Sequence, residues 1–228
     1  EPYFDAEGFA QDLADIEYPL HFLDFEGFSP AIPVYPGTKP YETVLFQFSS
    51  HTMYENGRTF HREYLHADDT DPRERFAKKL IKAMGDKGSI FVYSHYENTN
   101  LTKLRNYLLI KAEEMRKKGK HTAADRYEKD ALALENIAKR FVDLLPILKD
   151  RFYHPAQKGS YSIKAVLPIV APELSYKDLT IQNGAVAAAV YAEIIDPATP
   201  PARRAMLARE LLKYCERDTE AMLVLFVN

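Results

Sequence analysis

Asp24 and Glu26 stand two residues apart in Leu23-Asp-Phe-Glu-Gly27, inside a short apolar and aromatic run. In a strand this spacing sends both side chains out of one face, while Phe25 points to the other. Two neighbouring carboxylates in apolar company repel each other and lose hydration, a cost that a divalent cation between them removes. Glu97 follows the expected strand Ile90 to Ser94, where a strand passes into a helix and where ligands collect in sheet proteins. Its plainer role is a favourable charge near a helix start. Tyr214 and Asp218 lie four apart in Tyr214-Cys-Glu-Arg-Asp218, on one helical face. Asp218 adjoins the apolar stripe of Leu211, Leu212, Met222 and Leu225, where an unpaired carboxylate is disfavoured. Carboxylates gathered in this way suit hard divalent cations such as magnesium or manganese. His95, Lys158 and Lys164 are candidates for substrate contact. The run Arg151, His154, Lys158 and Lys164 is basic, turn-rich and close to aromatic residues, as a strand of nucleic acid requires.

The elements that must position these groups follow from pattern. Pro19 to Phe28 is a first β-prone strand, and the Pro-rich stretch Ala31 to Tyr41 is a loop. Glu42 to Met53 and Thr59 to Leu65 form a hairpin about Asn56-Gly57. Thr70 or Asp71 is expected to cap a helix that Pro72 begins and Gly85 stops. Ser89 to Ser94 reads as a buried strand, and Glu97 to Arg140 as helical with a solvated, Lys-rich hairpin around Gly119. Ser160 or Ser162 caps a helix through Val170, and Ala185 to Ile195 and Arg203 to Phe226 supply the last helices.

A chain of 228 residues with 46% hydrophobic and 28% charged residues has the composition of one soluble globular domain with a sizeable core, and the order of strands and helices above makes it α/β with one central sheet. Net charge −3 and pI near 6.2 give no global attraction to nucleic acid, yet a site that grips phosphate through cations needs acids at its centre. The lone Cys215 excludes an intramolecular disulfide and a thiolate zinc site, and suits a reducing compartment, with the cytoplasm as default. No apolar run approaches the roughly 18 residues of a membrane span, and the acidic start lacks the basic opening of a signal peptide. The missing initiator methionine is expected of an excised part of a longer chain.

In combination, Asp24-x-Glu26 on a first strand, Glu97 after a later strand and Tyr214-x-x-x-Asp218 on a last helix resemble the DEDD, or DnaQ-like, exonuclease superfamily in its tyrosine subtype. The histidine subtype would want histidine at position 213, where this chain has Lys213. The resemblance implies a ribonuclease H-like fold. Its central mixed sheet would hold three antiparallel strands and then parallel ones, flanked by helices. The domain would span residues 18–228 after a lead-in of 1–17, with a helical hairpin insertion near 105–135. It further implies a two-metal-ion 3′-5′ exonuclease acting on single-stranded DNA or RNA ends with magnesium or manganese. Asp24 would bridge the ions, Glu26 and Asp218 would complete the first, Glu97 would help place the second, and Tyr214 would orient the attacking water. Pro19-Leu-His-Phe-Leu-Asp-Phe-Glu26, Gly159-Ser-Tyr-Ser-Ile-Lys-Ala-Val-Leu167 and Tyr214-Cys-Glu-Arg-Asp218 also resemble an uncharacterised bacterial domain family often found after a RecB-like nuclease domain. That domain is thus an expected neighbour in the full-length chain. Glu97 stands where the superfamily usually has aspartate, and its longer side chain would shift or weaken one cation. A catalytically weakened module that binds nucleic acid or a partner nuclease domain is therefore the alternative.

Overall fold

The computed structural model describes residues 1–227. Its centre is a sheet of five strands, β2 (Leu20–Phe28), β3 (Val44–Met53), β4 (Thr59–Leu65), β5 (Ile90–Val92) and β6 (Phe141–Asp143), in the spatial order β4-β3-β2-β5-β6. The first three run antiparallel to one another, whereas β5 pairs parallel to β2 and β6 parallel to β5. The chain is thus α/β with a mixed sheet. The hairpin between β3 and β4 turns at Gly57, whose φ of 78° is the left-handed conformation that the Asn-Gly signal supplies.

Helices cover the sheet: α2 (Arg73–Met84), α3 (Tyr96–Lys117), α4 (His121–Ala138), α5 (Leu144–Arg151), α6 (Ile163–Val170), α7 (Gly184–Ile195) and α8 (Pro201–Val227). One core layer joins Leu23, Phe25 and Phe48 to Phe76 and Leu80 of α2, Leu101 and Leu104 of α3 and Leu134 of α4. On the opposite side Phe46, Leu211, Tyr214 and Tyr191 pack together, and the Phe46 and Tyr191 rings stack at 3.8 Å. Because β2 alternates faces, Leu23 and Phe25 enter the first layer, while Asp24 and Glu26 look toward the side covered by α7 and α8. The short α1 (Ala6–Asp12) and the strand pair β1 (Tyr3–Phe4) and β7 (Phe152–Tyr153) lie outside the sheet, tied by Arg151 to Asp5 and Asp12.

Some local expectations change. Pro72 rather than Thr70 or Asp71 occupies the N-cap position of α2, but Asp71 Oδ1 still accepts the first helical amide, that of Arg73, at 3.0 Å while Oδ2 grips its guanidinium at 2.6 Å. The strand expected over Ser89 to Ser94 contracts to Ile90–Val92, and β6 and α5 occupy a stretch that no pattern marked. The α3–α4 hairpin does turn at Gly119. Its tip is solvated, but its base is core, with Leu101, Leu108, Ala131 and Ile137 all buried.

Candidate metal centre

Three elements bring the acids together. Asp24 and Glu26 leave β2 on one face, and Asp218 reaches them from the middle of α8; one carboxylate oxygen from each lies within 4.8 Å of the other two. Glu26 and Asp218 are each 7% exposed, while Asp24 keeps an opening to solvent. Gly27, just beyond Glu26, lets Tyr96 approach, since a side chain there would collide with the Tyr96 hydroxyl and the Thr43 methyl. Glu97 lies in the first turn of α3, outside this group of three, and is 3% exposed. The turn into α3 is tight: Ser94 adopts φ 143°, a conformation that side-chain-bearing residues rarely take, and its hydroxyl accepts the amide of Tyr96 at 3.1 Å.

The electrostatics of these acids are those of a site short of positive charge. Burial, followed by the charges of Asp218, Glu26 and Glu97, holds Asp24 well above the usual carboxylate range. Burial and then Asp218 raise Glu26, against a lowering from Lys164. Glu97 is raised by burial and by Asp143 and Asp218, and its Oε2 is buried without a hydrogen-bond partner. Asp218 is raised less, to about 6, because burial is opposed by hydrogen bonds from Tyr176 and Tyr214 and by Lys164. Three converging carboxylates, with Glu97 acting on Asp24 and Glu26 through its charge, are the oxygen donors that a hard divalent cation takes, so the residues fit such a group.

Around the acids stands a shell of donors. The Tyr176 hydroxyl donates to Asp218 Oδ1 at 2.6 Å, and the Cys215 thiol to Asp24 Oδ2 at 3.5 Å. Lys164 Nζ donates to the Tyr214 hydroxyl at 2.8 Å and to the Gln182 carbonyl at 2.6 Å, and lies over the rings of Tyr214 and Tyr176. An ammonium has only protons to give, so the Tyr214 oxygen accepts and its own proton is free to turn to Asp218 one helical turn on. Beside Lys164 opens a cleft of about 490 Å³ lined by Tyr93, Leu145, Lys149, Tyr161, Ser162 and Ile163.

Of the residues singled out by sequence, Asp24, Glu26, Tyr214, Asp218 and Lys164 meet here, whereas Glu97 stays outside the converging three and reaches them through its charge. His95 is exposed just before α3, and Lys158 is exposed at φ 50° after a turn of 3-10 helix. In that basic run Arg151 is spent on Asp5 and Asp12 and the His154 ring accepts the amide of Ala156, so Lys164 is the member that reaches the site. Tyr176, Cys215 and Asp143 were not foreseen. Cys215 carried a signal, being one residue from Tyr214, but Tyr176 lies in an irregular stretch without periodicity.

The profile of a family described as "Domain of unknown function (DUF2779)" matches residues 21–162, more than half of the chain. That span contains Asp24, Glu26 and Glu97 and stops before Lys164, Tyr176 and α8. Neither a curated protein nor a solved structure matches the chain.

Proposed function

Because the chain belongs to the DUF2779 family, whose description names no activity, we propose from its site that it is a metal-dependent nuclease of ribonuclease H-like type. The most specific form of this reading is a 3′-5′ exonuclease on single-stranded DNA or RNA ends. The observation that carries it is the convergence of Asp24, Glu26 and Asp218 within 4.8 Å. The strand order β4-β3-β2-β5-β6, three antiparallel strands followed by two parallel ones and crossed by a long last helix, agrees with that fold reading.

Asp24, Glu26, Glu97 and Asp218 would hold two magnesium or manganese ions, which when bound supply Lewis acidity toward the phosphodiester and a water of lowered pKa. The chain's own groups do the positioning. Tyr176 fixes one Asp218 oxygen, leaving the other to face the cluster. The Tyr214 hydroxyl, held from behind by Lys164, would orient the attacking water, and the Lys164 ammonium offsets charge gathered on the phosphate. The cleft beside Lys164 offers Tyr93 and Tyr161 as walls against which a base can stack, and Lys149 for a phosphate.

One observation favours the alternative of a binding module without cleavage. Lys164 already occupies the Tyr214 hydroxyl and partly neutralises Glu26 and Asp218. Incubation of end-labelled single-stranded DNA and RNA with manganese decides between the two. Stepwise shortening that Asp218→Ala abolishes is the expected result; retention of the labelled strand on the protein without shortening would establish the binding module instead.

A further inference from the structure

A second cluster of metal-ligating side chains lies on the same covered face of the sheet, toward its β4 edge. His51 of β3 and His61 of β4 are direct cross-strand partners, their rings stacked with centroids 4.6 Å apart. Glu216 of α8 comes down onto them, its Oε1 at 3.5 Å from His61 Nδ1. One ring nitrogen from each histidine and a carboxylate oxygen of Glu216 all lie within 4.8 Å of one another, and all three residues are half-buried. The acids assigned to the proposed nuclease centre contribute nothing to this group.

The hydroxyls around it select which nitrogen of each ring carries the proton when the ring is neutral. Thr219 has a single hydroxyl proton, and the carbonyl of Glu216 takes it at 3.0 Å. Thr219 Oγ1 must then accept from its other two neighbours, Ser49 Oγ at 2.8 Å and His51 Nδ1 at 2.9 Å. Ser49 has thereby given its proton away, so it accepts from His61 Nε2 at 2.8 Å. In the neutral rings this network puts the proton of His51 on Nδ1 and that of His61 on Nε2, leaving lone pairs on His51 Nε2 and His61 Nδ1 for a metal. That His61 lone pair faces the Glu216 carboxylate. At 3.5 Å either a proton on Nδ1 or a metal cation in its place joins the ring to the carboxylate, and a metal bonds to both atoms. Glu63, the cross-strand partner of Ser49 and electrostatically coupled to both His61 and Glu216, adds further negative charge beside them.

We propose that His51, His61 and Glu216 form a site for a zinc-class transition metal, separate from the carboxylate cluster. Two imidazoles and one carboxylate suit zinc, cobalt or nickel, whereas the oxygen-only set of Asp24, Glu26, Glu97 and Asp218 suits magnesium or manganese. Hydrogen bonds from the far side of the rings, here through Ser49 and Thr219, are the usual means of holding such ligands in orientation. The occupied site would pin α8 to the β3–β4 hairpin, and α8 carries Tyr214 and Asp218.

The test is a titration of chelator-treated protein with zinc in excess magnesium, which saturates the carboxylate cluster, followed by cobalt absorption spectra. One equivalent per chain and an intense low-coordinate cobalt spectrum are expected, both lost in His61→Gln and Glu216→Gln and both kept in Asp24→Asn. Thr219→Val should weaken zinc on the order of 10–100-fold, as loss of an outer hydrogen bond to a ligand does. Circular dichroism of each variant reports folding. Glu216 has a 45% exposed side chain, so Glu216→Gln decides the matter if His61→Gln does not fold. Zinc uptake that survives Glu216→Gln, uptake that disappears with Asp24→Asn, or the absence of stoichiometric uptake would each overturn the proposal.

Discussion

The hydroxyl of Tyr176 donates to Asp218 Oδ1 at 2.6 Å, joining residues 42 positions apart in sequence. Tyr176 is 9% exposed and also lies under the Lys164 ammonium, so one phenol orders both a carboxylate of the acidic cluster and the cation that faces it. Tyr176→Phe keeps the ring and deletes only the proton donor. It should lower manganese affinity on the order of 10–100-fold with the fold intact, because the carboxylate it orients is then free to turn. Calorimetric titration measures this, and an affinity equal to the parent's would deny Tyr176 that role.

Asp24 is a carboxylate among carboxylates, and without a bound cation its charge opposes folding. Asp24→Asn keeps the volume and removes the charge. In chelator the variant should melt higher than the parent, at about 2–4 °C for each kcal/mol gained in a chain of this size. In manganese the order should reverse, since only the parent gains from binding. A variant that melts lower in chelator, or that still gains from manganese, contradicts the assignment of Asp24 as a ligand.

His21 supplies the pH dependence. Its Nε2 donates to the Lys87 carbonyl at 3.3 Å and its Nδ1 meets the Thr52 hydroxyl at 3.0 Å. Burial, the largest influence, lowers its pKa from 6.5 to about 4 despite the carbonyl. Between those two values the unfolded chain binds a proton that the folded chain refuses, so stability falls as pH drops from 6.5 toward 4. By pH 5 the loss from this one ring is about 2 kcal/mol. Denaturant titrations of the parent and His21→Gln at pH 7 and pH 5 isolate it, and an equal loss in both proteins would remove His21 as the cause.

Cys215 is fully buried and its thiol is pushed well above the ordinary range by burial and by the nearby acids. A disulfide reagent should therefore label it only as fast as the chain opens, with a rate that rises with denaturant in step with unfolding. Rapid labelling of the native protein would place the thiol at the surface and break its contact with Asp24.

Much of this architecture could be inferred from the chain because its signals were local. Asn56-Gly57 marked the hairpin, Gly85 ended α2, and the aromatic run around Asp24 could only be a strand. β6 escaped because three residues between helices carry no period. Asp143, at its end, hydrogen-bonds the amide of Leu145 and so starts α5, while also raising Glu97. Tyr176 escaped for the same reason, in a stretch held by tertiary contacts. The pairing of His51 with His61 was available in principle, since a tight turn at Asn56-Gly57 sets the cross-strand register, but the approach of Glu216 depends on how α8 lies on the sheet.

That helix presents different sides to different neighbours. Tyr214 and Asp218 look along β2, while Glu216 and Thr219 look toward β3 and β4, and the Leu211 carbonyl accepts from Gln47. Each neighbour thus depends on the same angular phase of a single rod. Inserting one alanine between Lys213 and Tyr214 would leave the helix helical yet turn everything beyond it by about 100°. The carboxylate of Asp218 and that of Glu216 would leave their partners in the same stroke, so a change in winding ahead of Tyr214 detunes both clusters together.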